Sequence, residues 1–267
     1  MNFKDHLRGW LVNMERRKRR DRVGTLTDSQ VIVLVRKIED LPRYTKLNEG
    51  ADRLIRRRDR ALISLAWTFF KRAGETLRVR LADVFYDESE LSVTFNISKK
   101  KKGVKVCPDC EEQNGRGASF CRKCGTDLRV TPIAEVGQTL VVTKRKSMDY
   151  PFCGVVVEWI ETLKDLECVP ESWVFPGYNY FAGRFLFGSR KPLSVQRFDQ
   201  ILQRLDATLT SHMFRYGQSE KLLRLGYTPT DLKEIGDWSS SHMPEVYAKR
   251  TGWTPAQAKF AKDTRML

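Results

Sequence analysis

Two cysteine pairs, Cys107-Pro108-Asp109-Cys110 and Cys121-Arg122-Lys123-Cys124, stand ten residues apart near the middle of the chain. Each Cys-x-x-Cys turn sets two thiolates on one side of a tight bend. Two such turns close a tetrahedral site with no open position, which suits a structural zinc ion. Gly115 and Gly125 are expected to ease the bends. A segment this short carries too few apolar residues to fold without its metal. A redox pair would not need a partner pair at this spacing. The metal-tied module is therefore expected over residues 105–128, and it constrains everything around it to be a scaffold that tolerates an insertion. The two remaining cysteines, Cys153 and Cys168, sit in apolar sequence and read as buried thiols.

The flanks of the module are strand-like. Leu91, Val93, Phe95 and Ile97 alternate with polar residues, and residues 78–106 follow that pattern up to the first cysteine. Leu140-Val141-Val142-Thr143 and Asp149-Tyr150-Pro151-Phe152 read as further short strands. Helices surround them. One starts at residues 25–27 with Thr27 or Asp28 as its cap and Val31, Leu34, Val35 and Ile38 on one face. Others are predicted over Asp59–Phe70, Gly154–Leu166, Val195–Leu205, Met213–Leu225, Asp231–Ile235 and Pro255–Lys262. No internal repeat is visible. The order predicts a mostly α fold with a small antiparallel β-sheet, the metal module inserted in the sheet region.

Charge narrows the partners. Lysine and arginine number 48 against 33 aspartate and glutamate, a net charge of +15, while 41% hydrophobic residues allow a real core. Such a balance concentrates a polyanion and suits nucleic acid. Residues 1–25 form a basic arm, with Arg16, Arg17, Lys18, Arg19, Arg20 and Arg22 nearly contiguous; it is either a DNA-contacting element or a solvated charged end. That arm lacks the apolar stretch of a secretory signal, and no run of roughly 18 apolar residues occurs anywhere, so no membrane partner and a cytoplasmic, DNA-associated location are expected. No GxxxxGK[ST] loop is present, so no nucleotide cofactor is expected.

Chemistry-bearing residues gather late in the chain. Ser211-His212-Met213-Phe214-Arg215 is followed 23 residues later by Trp238 and nine after that by Tyr247. Transfer of a phosphodiester to a tyrosine builds negative charge on non-bridging oxygens. Two arginines clamp that charge bidentately without losing their protons. A leaving 5′-oxygen needs an acid, which a partly desolvated lysine supplies. His212 and Arg215, three apart at a helix start, lean to one side. His212 can bond the phosphate or carry the nucleophile's proton.

That run resembles the C-terminal box of the tyrosine recombinase/integrase family, and the cysteine module resembles a zinc ribbon. The resemblance covers roughly residues 25–250. It implies the family's catalytic-domain fold, with Tyr247 as nucleophile and Arg215, His212 and Trp238 at the phosphate. The indole N–H of Trp238 would donate to a phosphate oxygen. The family's first arginine lies in an Arg-x-x-Glu turn after an apolar helix. Phe70-Lys71-Arg72-Ala73-Gly74-Glu75 matches it, making Arg72 the first clamp and Glu75 its support. The family's lysine lies on a hairpin between the arginines; Thr143-Lys144-Arg145-Lys146 matches, so Lys144 is assigned, with Lys146 and the Lys99–Lys102 run as competitors. Tyr216 stands where many members have a second histidine. Members usually carry a helical DNA-clamp domain ahead of the catalytic one, whereas only about 25 residues precede the first helix here.

The resemblance thus implies a site-specific recombinase acting through a covalent 3′-phosphotyrosine on double-stranded DNA, as a homo-dimer or homo-tetramer. The alternatives are a type IB topoisomerase-like enzyme and a non-catalytic DNA-binding protein of the same fold. The organisation expected is a basic arm at 1–25, a catalytic domain at 26–250 holding the ribbon, and a C-terminal tail helix at 251–267 that docks on a neighbouring subunit or packs back on its own domain.

Overall fold

The structure is a computed structural model that describes residues 26–43, 47–98, 102–136, 139–179, 184–187 and 191–256. The basic arm, the Lys99–Lys101 part of the competing lysine run and most of the tail lie outside the described residues. The chain divides into two compact units, one of residues 1–93 with 144–267, the other of residues 94–143.

The larger unit is helical. Helix α1 (Asp28–Asp40) begins as its sequence dictates: the Thr27 hydroxyl accepts from the Gln30 amide while the Gln30 side chain bonds back to Thr27. Such a box is worth about 1 kcal/mol. Val31, Leu34, Val35 and Ile38 are buried along one face, spaced for a 3.6-residue period.

Helix α2 spans Glu49–Thr68, beginning ten residues before the predicted start at Asp59. The early turns carry Arg53, Arg56, Arg57 and Arg58 and so lack an apolar stripe. Their charges are satisfied internally instead: Arg56 donates to Asp52 and to the carbonyls of Ile38, Glu39 and Leu41, and buried Arg58 pairs with Asp59 and the Pro176 carbonyl. The later turns bury Ala61, Leu62, Ile63, Leu65, Ala66 and Trp67.

A four-residue helix, α3 (Ala73–Thr76), and a 3-10 turn (Leu81–Asp83) lead into strand β1 (Val84–Tyr86), which pairs antiparallel with β2 (Glu90–Ser98). The alternation seen in the sequence is real: Leu91, Val93, Phe95 and Ile97 are all buried. Strand β6 (Thr139–Ser147) completes a sheet of order β1-β2-β6. It is one continuous strand, longer than the 140–143 stretch expected. Residues 149–152 are not a strand; they form turns, and Phe152 caps helix α4 (Cys153–Asp165). A Pro-centred tetrapeptide cannot donate a full ladder, and its backbone closes locally through Tyr150 N–H to the Ser147 carbonyl and Cys153 N–H to the Tyr150 carbonyl. A hairpin β7–β8 (Tyr178–Asn179, Arg184–Phe185) precedes α5 (Val195–Leu205), α6 (Ser211–Arg224), α7 (Pro229–Ile235) and α8 (His242–Thr251). Helix α2 packs against α1, α4 and α6. No helix among the described residues is long and apolar enough to cross a membrane.

The smaller unit is a three-stranded sheet of order β4-β3-β5, from β3 (Lys102–Val106), β4 (Gln113–Gly115) and β5 (Ile133–Val136). Its core is small: Leu128 with Cys107 and Cys121. Buried Lys105 holds it by donating to the carbonyls of Ala118 and Leu128. Gly125 takes φ +79°, as the second cysteine turn requires. Gly115 lies in β4 without such a turn, and Glu111 (φ 58°) supplies the left-handed residue of the first.

Candidate active site and metal centre

Helix α2 ends on an unusual backbone. Phe70 has φ 59°, a left-handed conformation costly for a bulky residue. The position persists because the Phe70 ring meets Trp238 edge-on at 5.2 Å in a cluster with Leu223, Leu232, Tyr247 and Ala248. Its carbonyl accepts from Arg215 Nη1 at 3.2 Å. The bend brings the next residues, Lys71 and Arg72, to the start of α3.

Arg72 is half-exposed and its guanidinium Nη1 donates to Glu75 Oε1 at 2.7 Å, while Glu75 Oε2 accepts the Arg72 amide at 3.0 Å. Glu75 Oε2 also lies 3.9 Å from Arg215 Nη1. One carboxylate therefore stands between both arginines named from the sequence.

Arg215, on the first turns of α6, is almost fully buried. Its Nη2 donates to the Gly236 carbonyl at 2.5 Å, and its guanidinium carbon lies 4.0 Å from the Trp238 ring centroid. Its Nε is buried and makes no hydrogen bond among the described residues. Burial, then the neighbouring Arg72, pushes the Arg215 guanidinium down to about 10, with Glu75 and Tyr247 opposing. At neutral pH it remains a cation, held between an aromatic face and two carbonyls.

Gly236 is where this packing demands no side chain: a Cβ there would meet the Trp238 ring at 2.3 Å and the Phe70 ring at 2.8 Å. Trp238 itself is nearly buried and touches Phe70, Arg215 and Tyr247.

Tyr247, in the middle of α8, is buried. Its hydroxyl sits 3.4 Å from Nε2 of His212, which is an exposed residue at the start of α6. Tyr216 packs edge-on against the Tyr247 ring at 5.4 Å, so it contributes an aromatic wall. Burial raises the Tyr247 hydroxyl above its ordinary range, and Arg215, Arg250 and Arg72 pull it back. His242 opens α8.

On β6, Lys144 and Lys146 share a face, two apart, and Arg145 points to the other. Lys144 Nζ lies 3.5 Å from Asp237 Oδ1. Lys146 stacks on the Tyr150 ring at 4.4 Å, and burial followed by Lys221 lowers its ammonium. The geometry thus brings Arg72, Glu75, Lys144, His212, Arg215, Trp238 and Tyr247 together between the end of α2, the start of α6, the end of α7 and the middle of α8, and sets Lys146 against Tyr150.

Two groups escaped the sequence reading. Lys71 has no exposed side-chain surface and pairs with Asp237 Oδ2. Asp237 has φ 53°, a conformation aspartate tolerates. A buried lysine has no local signature, and its partner is 166 residues away; only the positions beside Arg72 and Trp238 pointed to them. A third network joins Asp28 to Trp67 Nε1 at 2.7 Å, Lys221 at 2.6 Å and the Tyr150 hydroxyl at 3.1 Å.

In the smaller unit, the four sulfurs of Cys107, Cys110, Cys121 and Cys124 all lie within 4.8 Å of one another, with Cys107–Cys124 at 3.4 Å and Cys110–Cys121 at 3.5 Å. A tetrahedron with metal–sulfur bonds of about 2.3 Å has edges of about 3.8 Å. The donor set therefore fits one metal ion. Outer contacts orient the thiolates: the Lys123 amide and Asn114 Nδ2 donate towards Cys121 at 3.4 and 3.6 Å.

No protein-family model matches the sequence, and no curated protein matches it by sequence. Solved structures do resemble the fold. XerH site-specific recombinase bound to difH substrate, in a pre-cleavage complex, aligns over 84% of this chain and 49% of its own with a TM-score of 0.51 and 10% identity. XerA recombinase aligns over 91% of this chain and 65% of its own, with a TM-score of 0.49 and 12% identity. The chain spans about half the length of the XerH chain it matches. By its likeness to XerH, the protein has the fold of a tyrosine recombinase catalytic domain, with a four-cysteine cluster in its sheet region.

Proposed function

We propose that the protein is a site-specific DNA recombinase that cuts and rejoins double-stranded DNA through a covalent 3′-phosphotyrosine. The observation that carries this reading is the 3.4 Å approach of the Tyr247 hydroxyl to His212 Nε2, beside two arginines that face one carboxylate, Glu75. Tyr247 Oη attacks the phosphorus and its proton passes to His212 Nε2. The bond to the 5′-oxygen breaks, that oxygen keeps the bonding pair, and it takes a proton from Lys144. Arg72 and Arg215 hold the charge that builds on the non-bridging oxygens, and the Arg215 Nε, which makes no hydrogen bond among the described residues, is the donor for one of them. Trp238 fixes the Arg215 guanidinium from one face. One ester replaces another, so the linkage energy is conserved and no nucleotide is consumed. The reverse reaction on the 5′-hydroxyl of a partner strand exchanges the strands.

In this reading residues 26–250 are the catalytic domain, residues 105–128 a zinc ribbon held by Cys107, Cys110, Cys121 and Cys124, and residues 1–25 and 251–267 an arm and a docking tail. Zinc bound there ties the ribbon together. The catalytic unit assembles on DNA as a homo-dimer or homo-tetramer, inside the cell.

The test is a pool of nicked duplexes of random sequence, incubated with wild-type protein and with Tyr247→Phe. Wild type should yield an SDS-resistant adduct and joined products; the variant should bind equally and yield neither. Adduct with Tyr247→Phe overturns the nucleophile. Relaxation of any supercoiled plasmid without joining two sites identifies a topoisomerase, and binding without adduct in wild type identifies a non-catalytic protein.

A further inference from the structure

Three consecutive residues between α7 and α8 all touch the site. The Gly236 carbonyl takes Arg215, the Trp238 ring covers it, and Asp237 between them reaches two lysines. Asp237 Oδ2 pairs with Lys71, and Oδ1 lies 3.5 Å from the ammonium of Lys144.

A carboxylate beside a phosphate site is a liability, because it repels the substrate it stands next to. Here the fully buried Lys71 ammonium cancels that charge from behind. Lys71 also sits too deep to meet a substrate, with no exposed side-chain surface, whereas Lys144 keeps a quarter of its side chain accessible. Burial lowers the Lys71 ammonium, and its bond to Asp237 opposes that. Lysine side chains carry considerable rotamer freedom, so a proton donor on a strand gains from a fixed acceptor. Asp237 (φ 53°) and Phe70 (φ 59°), the residue before Lys71, both take left-handed backbone beside the Lys71–Asp237 pair.

We infer that Asp237, neutralised by Lys71, is a positioning residue that holds the Lys144 ammonium where it protonates the leaving 5′-oxygen. The inference rests on the recombinase reading. It predicts a signature that a merely structural aspartate lacks: the defect of an Asp237 variant depends on the leaving group. The P–O5′ bond of ordinary DNA needs a proton as it breaks. A 5′-bridging phosphorothiolate leaves as a thiolate and needs none.

The experiment uses the full chain and a sequence recovered from the nicked pool, made with 5′-oxygen or 5′-sulfur at the cleaved bond. Asp237→Asn should slow adduct formation by about 10²-fold on oxygen and leave it within about threefold of wild type on sulfur. Lys144→Ala should behave the same way, and adding Asp237→Asn to it should cost nothing further. Should Asp237→Asn unfold because Lys71 loses its partner, Lys71→Met/Asp237→Asn removes both buried charges and carries the same expectation. Equal slowing on oxygen and sulfur, wild-type rates, or a full additional loss on the Lys144→Ala background each overturn the positioning role while the recombinase reading stands. Wild-type protein that forms no adduct on either substrate overturns that reading, and the inference with it.

Discussion

The hydroxyl of Tyr247 stands 3.4 Å from Nε2 of His212, although the tyrosine is buried in α8 and the histidine is exposed at the start of α6. A buried phenol whose proton is held more tightly than usual needs a base within reach if it is to act as a nucleophile. His212→Ala should therefore slow adduct formation by about 10²-fold with DNA binding retained. Single-turnover rates against filter binding check this, and unchanged rates would remove His212 from proton transfer.

The two arginines should separate by stability. Arg72 is half-exposed and, among the described residues, its guanidinium bonds to Glu75 alone, so Arg72→Lys should slow cleavage by about 10²-fold and shift unfolding by no more than about 0.5 kcal/mol. Arg215→Lys abandons two buried carbonyls, those of Phe70 and Gly236, and should cost on the order of 1–3 kcal/mol besides activity. Urea unfolding of both variants distinguishes them; equal stabilities would contradict the buried bonding.

The four thiolates should hold one zinc ion per chain, measurable by elemental analysis. Cys121→Ser should release the ion and unfold residues 105–128, seen as loss of amide protection there, since the apolar cluster beside the thiolates is small: Leu128 with Cys107 and Cys121, and Cys110 and Ala118 against it. Full protection after metal removal would show that the sheet stands without it.

Asp28 offers a pH test. Burial alone would raise its carboxyl, but the bonds from Lys221 and Trp67 outweigh this and hold it below the ordinary 3.8. A carboxylate with a depressed folded-state value adds stability above its unfolded value, and that stability is lost as pH falls through the folded value. Asp28→Asn should be destabilised by about 1 kcal/mol at pH 7, since a third of the side chain is open to solvent, and the gap should close in acid below the ordinary value. Unfolding midpoints across that range decide it; a gap constant with pH would assign the effect to packing.

Much of the frame was legible because its signals are local. Thr27 or Asp28 before the Val31–Ile38 stripe declares a helix start, and Leu91 to Ile97 declare a strand by period alone. The early turns of α2 were hidden because Asp52, Arg58 and Asp59 are buried as partners, which apolar periodicity cannot register. Residues 149–152 looked like a strand because aromatic content outweighed the turn-forming Pro151. The residues of the candidate site were named by the resemblance of their motifs to those of the recombinase family, whereas the Lys71–Asp237 pair depends on a bend at Phe70 that no residue type announces.

Arg215 ties the end of α2 to the turn before α8 through the carbonyls of Phe70 and Gly236. The residue that would grip a phosphate is thus also a rivet of the scaffold, so selection for folding alone preserves it. On the recombinase reading, a descendant that had abandoned catalysis would shed Arg72 or His212, which stand exposed, while keeping Arg215 and an aromatic ring at position 247. Among such relatives, retention of Arg215 by itself marks an intact fold.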